Sequence, residues 1–275
     1  MSDPRKPGTE TTRPHPHLLV THEGPVLTLT LDNEARRNAQ LPSLWLALAE
    51  VAGSLDPSVR VVVLNARGSS FSAGLDLSVV AGDASQRPDG EPDLFEIAAQ
   101  DVDEAAEVIA AFQRGFTAWA EAEVVVVAAV QGHAIGAGFQ LALAADLRVV
   151  ADDVQLAMRE TSLGLVPDLG GTRPLVALVG PARALEICAT GRFVGAQEAV
   201  ATGLANVAVP RDELDATTAD LVAALLAAPE AALRALKPLL QSAQSADRDV
   251  QLGSERRTQA TLLRGLGQAR ATAHS

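Results

Sequence analysis

Cysteine is almost missing from this 275-residue chain: Cys188 stands alone, inside the apolar segment Leu185-Glu186-Ile187-Cys188-Ala189-Thr190. A disulfide framework and a Cys-based metal site are thereby excluded, and a buried inert thiol fits the position better than a nucleophile. One thiol and no cross-links suit a reducing compartment, so a cytoplasmic location is expected. Lysine is nearly as scarce, with Lys6 and Lys237 the only two. Against 22 basic residues stand 34 acidic ones, a net charge of −12, and no basic block is longer than Arg36-Arg37 or Arg256-Arg257. Nucleic-acid binding is disfavoured on that balance. Long apolar runs are absent too: Val124 to Val130 falls well short of the roughly 20 residues that a membrane span needs. No dinucleotide fingerprint, P-loop or metal-ligand spacing occurs, so no redox cofactor, nucleoside triphosphate or metal is implied.

The first sixteen residues are polar and Pro-rich and hold no apolar core of a signal peptide, so residues 1–16 are expected to be a loose, disordered tail. Beyond them the composition, 48% hydrophobic and 20% charged, suits one large globular domain or two small ones. Leu18 to Thr21 and Val26 to Leu31 read as a hairpin, the second strand alternating Leu27, Leu29 and Leu31 with Thr28 and Thr30. Leu44 to Leu55 has helical spacing, and Val61 to Leu64 is a short continuous apolar run of the kind buried on both faces of a sheet. Gly82 to Asp93 reads as a polar Pro/Gly-rich loop. An amphipathic helix follows, its apolar residues from Val102 to Trp119 recurring at three and four. Then come a second buried strand, Val124 to Val130, a Gly-rich turn, a helix over Phe139 to Ala145 and a strand over Leu147 to Val150. From about Gly170 the pattern is almost wholly helical: 172–179, 181–190, 196–201, 212–226, 230–242 and 249–266.

Two segments put glycine beside the end of an apolar strand, where backbone amides can be left free to face a ligand. One is Phe71-Ser72-Ala73-Gly74-Leu75-Asp76; the other is Gly132-His133-Ala134-Ile135-Gly136-Ala137-Gly138. A helix N-terminus adds unpaired N–H groups and partial positive charge. Converging, two such segments would make an oxyanion hole; singly, each is an ordinary Gly turn.

Together with Arg37-Asn38-Ala39, the segments FSAGLDL at 71–77, AAVQGHAIGAGFQLALAADLRV at 128–149, GLVPDLGGTRPL at 164–175 and TGRFVGAQEAVATGLANVAVP at 190–210 resemble the crotonase superfamily, the enoyl-CoA hydratase/isomerase family. The resemblance runs from about residue 18 to 242, in order. It implies an α/β, ClpP/crotonase-like fold: a spiral of β-β-α turns over 17–210 carrying an acyl-CoA site, then a helical region over 211–275 that assembles a trimer or a dimer of trimers.

Carried over by position, the resemblance puts the oxyanion-hole donors at the Leu75 and Ala137 amides, flanked by Ala73, Gly74 and Gly136. Such a donor is worth ~3 kcal/mol of barrier. Hydratases of the family use two glutamates; the matching positions here are Gln140 and Glu160. An amide neither takes nor gives a proton at neutral pH, so the hydratase pair is incomplete. Several isomerases carry a working carboxylate where this chain has Asp168. One carboxylate suffices to move a proton between two carbons, so double-bond isomerisation through Glu160, with Asp168, is the favoured activity. Hydration by Glu160 alone, and acyl-CoA or partner binding without turnover, are the alternatives. Asp168 could equally cap the helix that follows, Glu160 could be a surface residue beside Arg159, and Gln140 a buried structural amide. Asp76 should cap a short helix, Asp146 anchor the next strand, and His133 be structural. No cofactor is expected beyond coenzyme A in the substrate, its phosphates met by Arg36, Arg37 and Lys237 near Ala39.

Overall fold

The computed structural model describes residues 9–79, 88 and 90–272; most of the expected loop Gly82 to Asp93 lies outside them. The described chain begins with β1 (Glu10–His15), β2 (Leu18–Glu23), β3 (Val26–Leu31), α1 (Pro42–Gly53) and β4 (Val61–Ala66). The middle consists of α2 (Leu94–Ala98), α3 (Val102–Glu121), β5 (Val125–Val130), β6 (His133–Ile135), α4 (Ala137–Ala144), β7 (Leu147–Ala151) and β8 (Gln155–Ala157). It continues with α5 (Thr172–Val179), α6 (Pro181–Thr190), β9 (Val194–Gly195), α7 (Ala196–Thr202) and β10 (Val207–Val209). Three helices close it: α8 (Leu214–Ala227), α9 (Glu230–Ser242) and α10 (Arg248–Thr272).

Seven strands make one mixed sheet in the order β1-β2-β3-β4-β5-β7-β10, and β6, β8 and β9 make a second, smaller one. From β3 to β10 the large sheet is parallel. Residues 61–64 of β4 and all of β5 are apolar at every position because both faces are covered. Val62, Leu64, Val126, Ala128 and Val130 pack with α1, α3 and α4. Val61, Val63, Val125 and Val127 point the other way, onto Leu214 and Val222 of α8. On α3, Phe112, Phe116 and Trp119 turn inward, and Phe112 and Phe116 meet the Trp45 ring edge-on.

The structure departs from the expectations or adds to them at three places. The tail does not stay loose throughout: Glu10–His15 pairs antiparallel with β2. Composition flags that stretch as disordered, but β-branched Thr11 and Thr12 face Thr21 and Val20 across the ladder, and His15 is buried. The His15 Nδ1 accepts from the His17 amide at 3.0 Å, which leaves the Nε2 proton for Ser43 Oγ, 2.9 Å away. Burial, then neighbouring His17, lowers the His15 pKa to about 4. Second, the region after Gly170 is almost wholly helical as expected, but Val207–Val209 completes the large sheet beside β7. Third, the Gly-rich turn after β5 contains a strand, β6, paired with β8. Strands of two or three residues are fixed by their partners and leave no periodicity in sequence.

Candidate functional site

The segment 37–40 runs alongside 73–76. Ala73 N–H donates to the Arg37 carbonyl, Gln40 N–H to Gly74 and Asp76 N–H to Gln40, at 2.7–2.8 Å. Arg37 and Asn38 have left-handed backbones, φ 51° and 53°, a rare state for residues with a side chain. The Asn38 amide holds it: Nδ2 donates to the Arg67 and Ser70 carbonyls at 2.8 Å each, and Oδ1 accepts from Asn33 N–H at 2.7 Å. Below it, Ser72 Oγ donates to the Asn38 carbonyl at 2.7 Å and takes N–H donors from Gln40 Nε2 and Gly74. Gln40 Oε1 in turn accepts from Trp45 Nε1 at 2.8 Å. Gln40 and Ser72 were not visible as site residues in sequence, because their partners lie 32 residues apart.

This pair of loops is pressed against the turn that opens α4. Gly74 has φ +90°, and a Cβ there would come 2.5 Å from the Ile135 carbonyl oxygen and 3.7 Å from the Ala137 nitrogen. Only glycine fits. Gly136, at φ 52° and ψ −118°, precedes α4 and donates to the Ala157 carbonyl at 2.8 Å. Among the described residues, neither the Leu75 N–H nor the Ala137 N–H donates to an acceptor. The structure thus brings Leu75 and Ala137 to one place, each with an unspent amide.

Glu160 opens the 3-10 turn Glu160–Leu163. Its Oε1 lies 3.4 Å from where a Gly136 Cβ would be and accepts from Gln140 Nε2 at 2.8 Å. Gln140, 1% exposed, spends its Oε1 on the Leu169 and Gly171 amides at 2.9 and 3.2 Å. The surface reading of Glu160 is thereby set aside, while Gln140 is both a buried structural amide and a neighbour of the carboxylate. Glu160 Oε2 is buried without a partner. Burial pushes the Glu160 carboxyl above the usual carboxylate range, and the Asp168 charge adds to this while the Gln140 N–H opposes it.

Asp168 does not cap α5, whose N-cap position is Gly171 with no side-chain bond. It sits three residues earlier, its carbonyl held by Gln113 Nε2 at 2.6 Å. Burial raises its carboxyl too, although the residue keeps an open face to solvent.

Arg36 and Arg37 are exposed beside buried Ala39, and Arg36 Nη1 lies 3.4 Å from Asp76. Asp76 caps the turn after it by accepting from Ser78 N–H at 3.0 Å. Lys237 is a correction: it is 7% exposed, its ammonium 2.8 Å from Asp146 and bonded to the Trp119 and Val124 carbonyls. Nothing of it is left for a phosphate. Asp146 anchors β5 through Val126 N–H at 2.8 Å. His133 meets Ser70 and Phe193. No group of three or more His, Cys, Asp or Glu able to hold a metal occurs among the described residues, and no described helix is long and apolar enough to cross a membrane.

Residues 21–266 match the family model described as enoyl-CoA hydratase/isomerase. Over 228 residues, 82% of this chain and 80% of the other, the chain is 35% identical to a carnitinyl-CoA dehydratase of Salmonella typhi. Among solved structures it is similar to a candidate enoyl-CoA hydratase from Thermobifida fusca YX. In complex with CoA the TM-score is 0.85 at 44% identity, covering 92% of this chain and 95% of that one. With acetoacetyl-CoA the TM-score is 0.85 at 46% identity, with 90% and 95% covered. The α/β fold with a helical C-terminal region is the one these structures share.

Proposed function

Since the chain belongs to the enoyl-CoA hydratase/isomerase family, we propose that it binds an enoyl-CoA thioester and moves a proton along its acyl chain. The Leu75 and Ala137 amides take the thioester oxygen, where negative charge gathers when a proton leaves the α-carbon. Glu160 carries the proton. The observation behind this reading is the asymmetry of its carboxylate: Oε1 is tied to Gln140, while Oε2 is buried with no partner. A base needs one oxygen fixed for aim and one free for the proton, and the raised pKa brings its proton affinity closer to that of a carbon acid. In a 3-enoyl-CoA, Oε2 takes a proton from C2 and the C–H pair is held as the enolate; on collapse of the enolate that pair forms the C2–C3 double bond, and the C3–C4 π pair takes the proton back from Glu160 at C4. Asp168, whose charge is felt by Glu160, is the second carboxylate of this reading. The CoA complexes of the Thermobifida protein support coenzyme A as the handle, with Arg36 and Arg37 near its phosphates, beside Ala39 and Ala73.

The dehydratase name of the 35% identical relative favours a second reading, addition or removal of water across a 2-enoyl-CoA with Glu160 alone. Incubation with a 3-enoyl-CoA and, separately, a 2-enoyl-CoA separates the two. Conjugated-thioester absorbance growing at unchanged mass from the first supports isomerisation. A mass gain of one water on the second, without isomerisation, overturns it in favour of hydration. Binding of both without turnover points to a binding protein.

Assembly through the C-terminal helices belongs to the same proposal. Over 248–271 no residue of α10 is buried, and Leu263 and Leu266 are 57% and 67% exposed. A trimer or hexamer would cover them, and a monomeric mass in sedimentation would sink the idea.

A further inference from the structure

A trans peptide points its N–H and the preceding C=O opposite ways in one plane. The Leu75 N–H therefore shares its plane with the Gly74 carbonyl, and whatever grips that carbonyl aims the amide. Gln40 is the grip. Its N–H donates to the Gly74 carbonyl at 2.7 Å, and its own carbonyl accepts from Asp76 N–H at 2.8 Å. Both neighbours of Leu75 are thus fixed to one residue.

The Gln40 side chain reaches toward the other amide. Its Nε2 donates to Ser72 Oγ at 3.1 Å. The Ser72 backbone donates to the His133 carbonyl at 2.8 Å and accepts from Ile135 N–H at 3.0 Å, two residues before Ala137. A Cβ on Gly138 would come 2.7 Å from Ser72, so α4 begins directly against it. Ser72 is the joint between the segment that aims Leu75 and the turn that carries Ala137, and Gln40 reaches that joint from its own segment. Gln40 is fully buried, and a half-turn of its amide would exchange oxygen and nitrogen. Trp45 removes that freedom: an indole N–H only donates, and it donates to Gln40 Oε1 at 2.8 Å, which leaves Nε2 for Ser72. Phe112 and Phe116 of α3 hold the indole edge-on.

We propose that Gln40 is a positioning residue, oriented by Trp45, that aims the Leu75 amide and sets its place relative to the Ala137 amide. The inference rests on the reading above of these two amides as the seat of the thioester oxygen. Glu160 is held through Gln140 and the Asp168 carbonyl through Gln113, so loosening Gln40 weakens the stabilisation of charge and leaves the base where it is.

Acetoacetyl-CoA is the probe, because its α-proton lies between two carbonyls and its enolate shows in ultraviolet absorbance. The full chain, Gln40→Met and Trp45→Phe are titrated with pH in its presence, and with CoA and butyryl-CoA by calorimetry. Gln40→Met keeps the length of the side chain but has no donor for Ser72; Trp45→Phe keeps a ring but has no donor for Oε1. In Gln40→Met the pH at which half the bound thioester is enolate should rise by about one unit, a loss of about tenfold, with CoA and butyryl-CoA affinities kept within about twofold. Trp45→Phe should shift it less, and should add nothing in the Gln40→Met background, since it acts through that side chain. An unchanged half-enolate pH with CoA binding intact overturns the proposal and leaves the amide site standing. So does a parallel loss of CoA affinity, the mark of a side chain that merely holds the fold. Wild-type protein that binds acetoacetyl-CoA without favouring its enolate sinks the amide reading as well. If Gln40→Met does not fold, Trp45→Phe decides by the same two readings.

Discussion

The two sides of the candidate site are built from different materials. On one side, segments 37–40 and 72–76 are joined mainly through the neutral, buried side chains of Asn38, Gln40 and Ser72, with Asp76 at the end of the second held by Arg36. On the other, Glu160 and Asp168 are carboxylates whose ionised forms the surroundings disfavour. A donor aimed at developing charge works best when nothing around it titrates, because its geometry then holds at every pH. A proton carrier needs the opposite. Scaffold and chemistry are thus divided between the two halves, and each half should fail in its own way.

The largest separation is expected from Glu160→Gln, which keeps the shape and the bond to Gln140 but removes the base. Turnover should fall about 10²–10⁴-fold, with acyl-CoA affinity and the far-ultraviolet spectrum retained; turnover near wild type would remove Glu160 from the mechanism. Next, Gln140→Glu restores a second carboxylate beside Glu160, and hydration of a 2-enoyl-CoA should rise on the order of 10²-fold. No gain would count against position 140 as the missing acid.

On the scaffold side, Asn38→Ala leaves the Asn33 N–H and two carbonyls without their partner. Chemical denaturation should show a loss of ~2 kcal/mol, with turnover lowered at all pH values alike. A selective change in the pH profile would mean that the two halves are not independent. The smallest effect is a linkage effect. Burial raises the Glu160 carboxyl in the folded chain, so its contribution to stability is fully present below the unfolded value and is lost as pH rises through the folded one. Glu160→Gln should therefore melt above wild type at neutral pH, and the margin should close as pH falls toward about 4. A margin independent of pH would contradict the raised value.

How much of this could be read in the residues follows from where the information sits. Val61 to Leu64 and Val124 to Val130 are legible because burial on both faces needs a continuous apolar run. The helices 172–179 and 181–190 end at Gly180 and Gly191, as the glycines mark. Leu75, Ala137 and Glu160 are assigned from the resemblance to the family's motifs, and the glycines beside the first two, at φ +90° and +52°, are the local mark of the turns that carry them. What escaped is non-local. β1 exists because β2 offers it an edge, and β10 because β7 does. Lys237 was misread as a phosphate ligand because its partner, Asp146, comes from another element. Ser72 and Gln40 look like ordinary polar residues until the fold superposes their loops.

The Lys237–Asp146 contact also orders events in time. Asp146 leaves the ribosome well before Lys237, whose ammonium opposes the burial that raises the Asp146 carboxyl. A nascent chain holding the strands but not yet α9 can pair its sheet, yet one carboxylate stays without its counter-ion at the foot of β5. A chain truncated ahead of residue 237 keeps that defect permanently, since removing one partner of a buried ion pair strands the other. The last quarter of the sequence thus supplies the counter-ion for a carboxylate set much earlier in the chain.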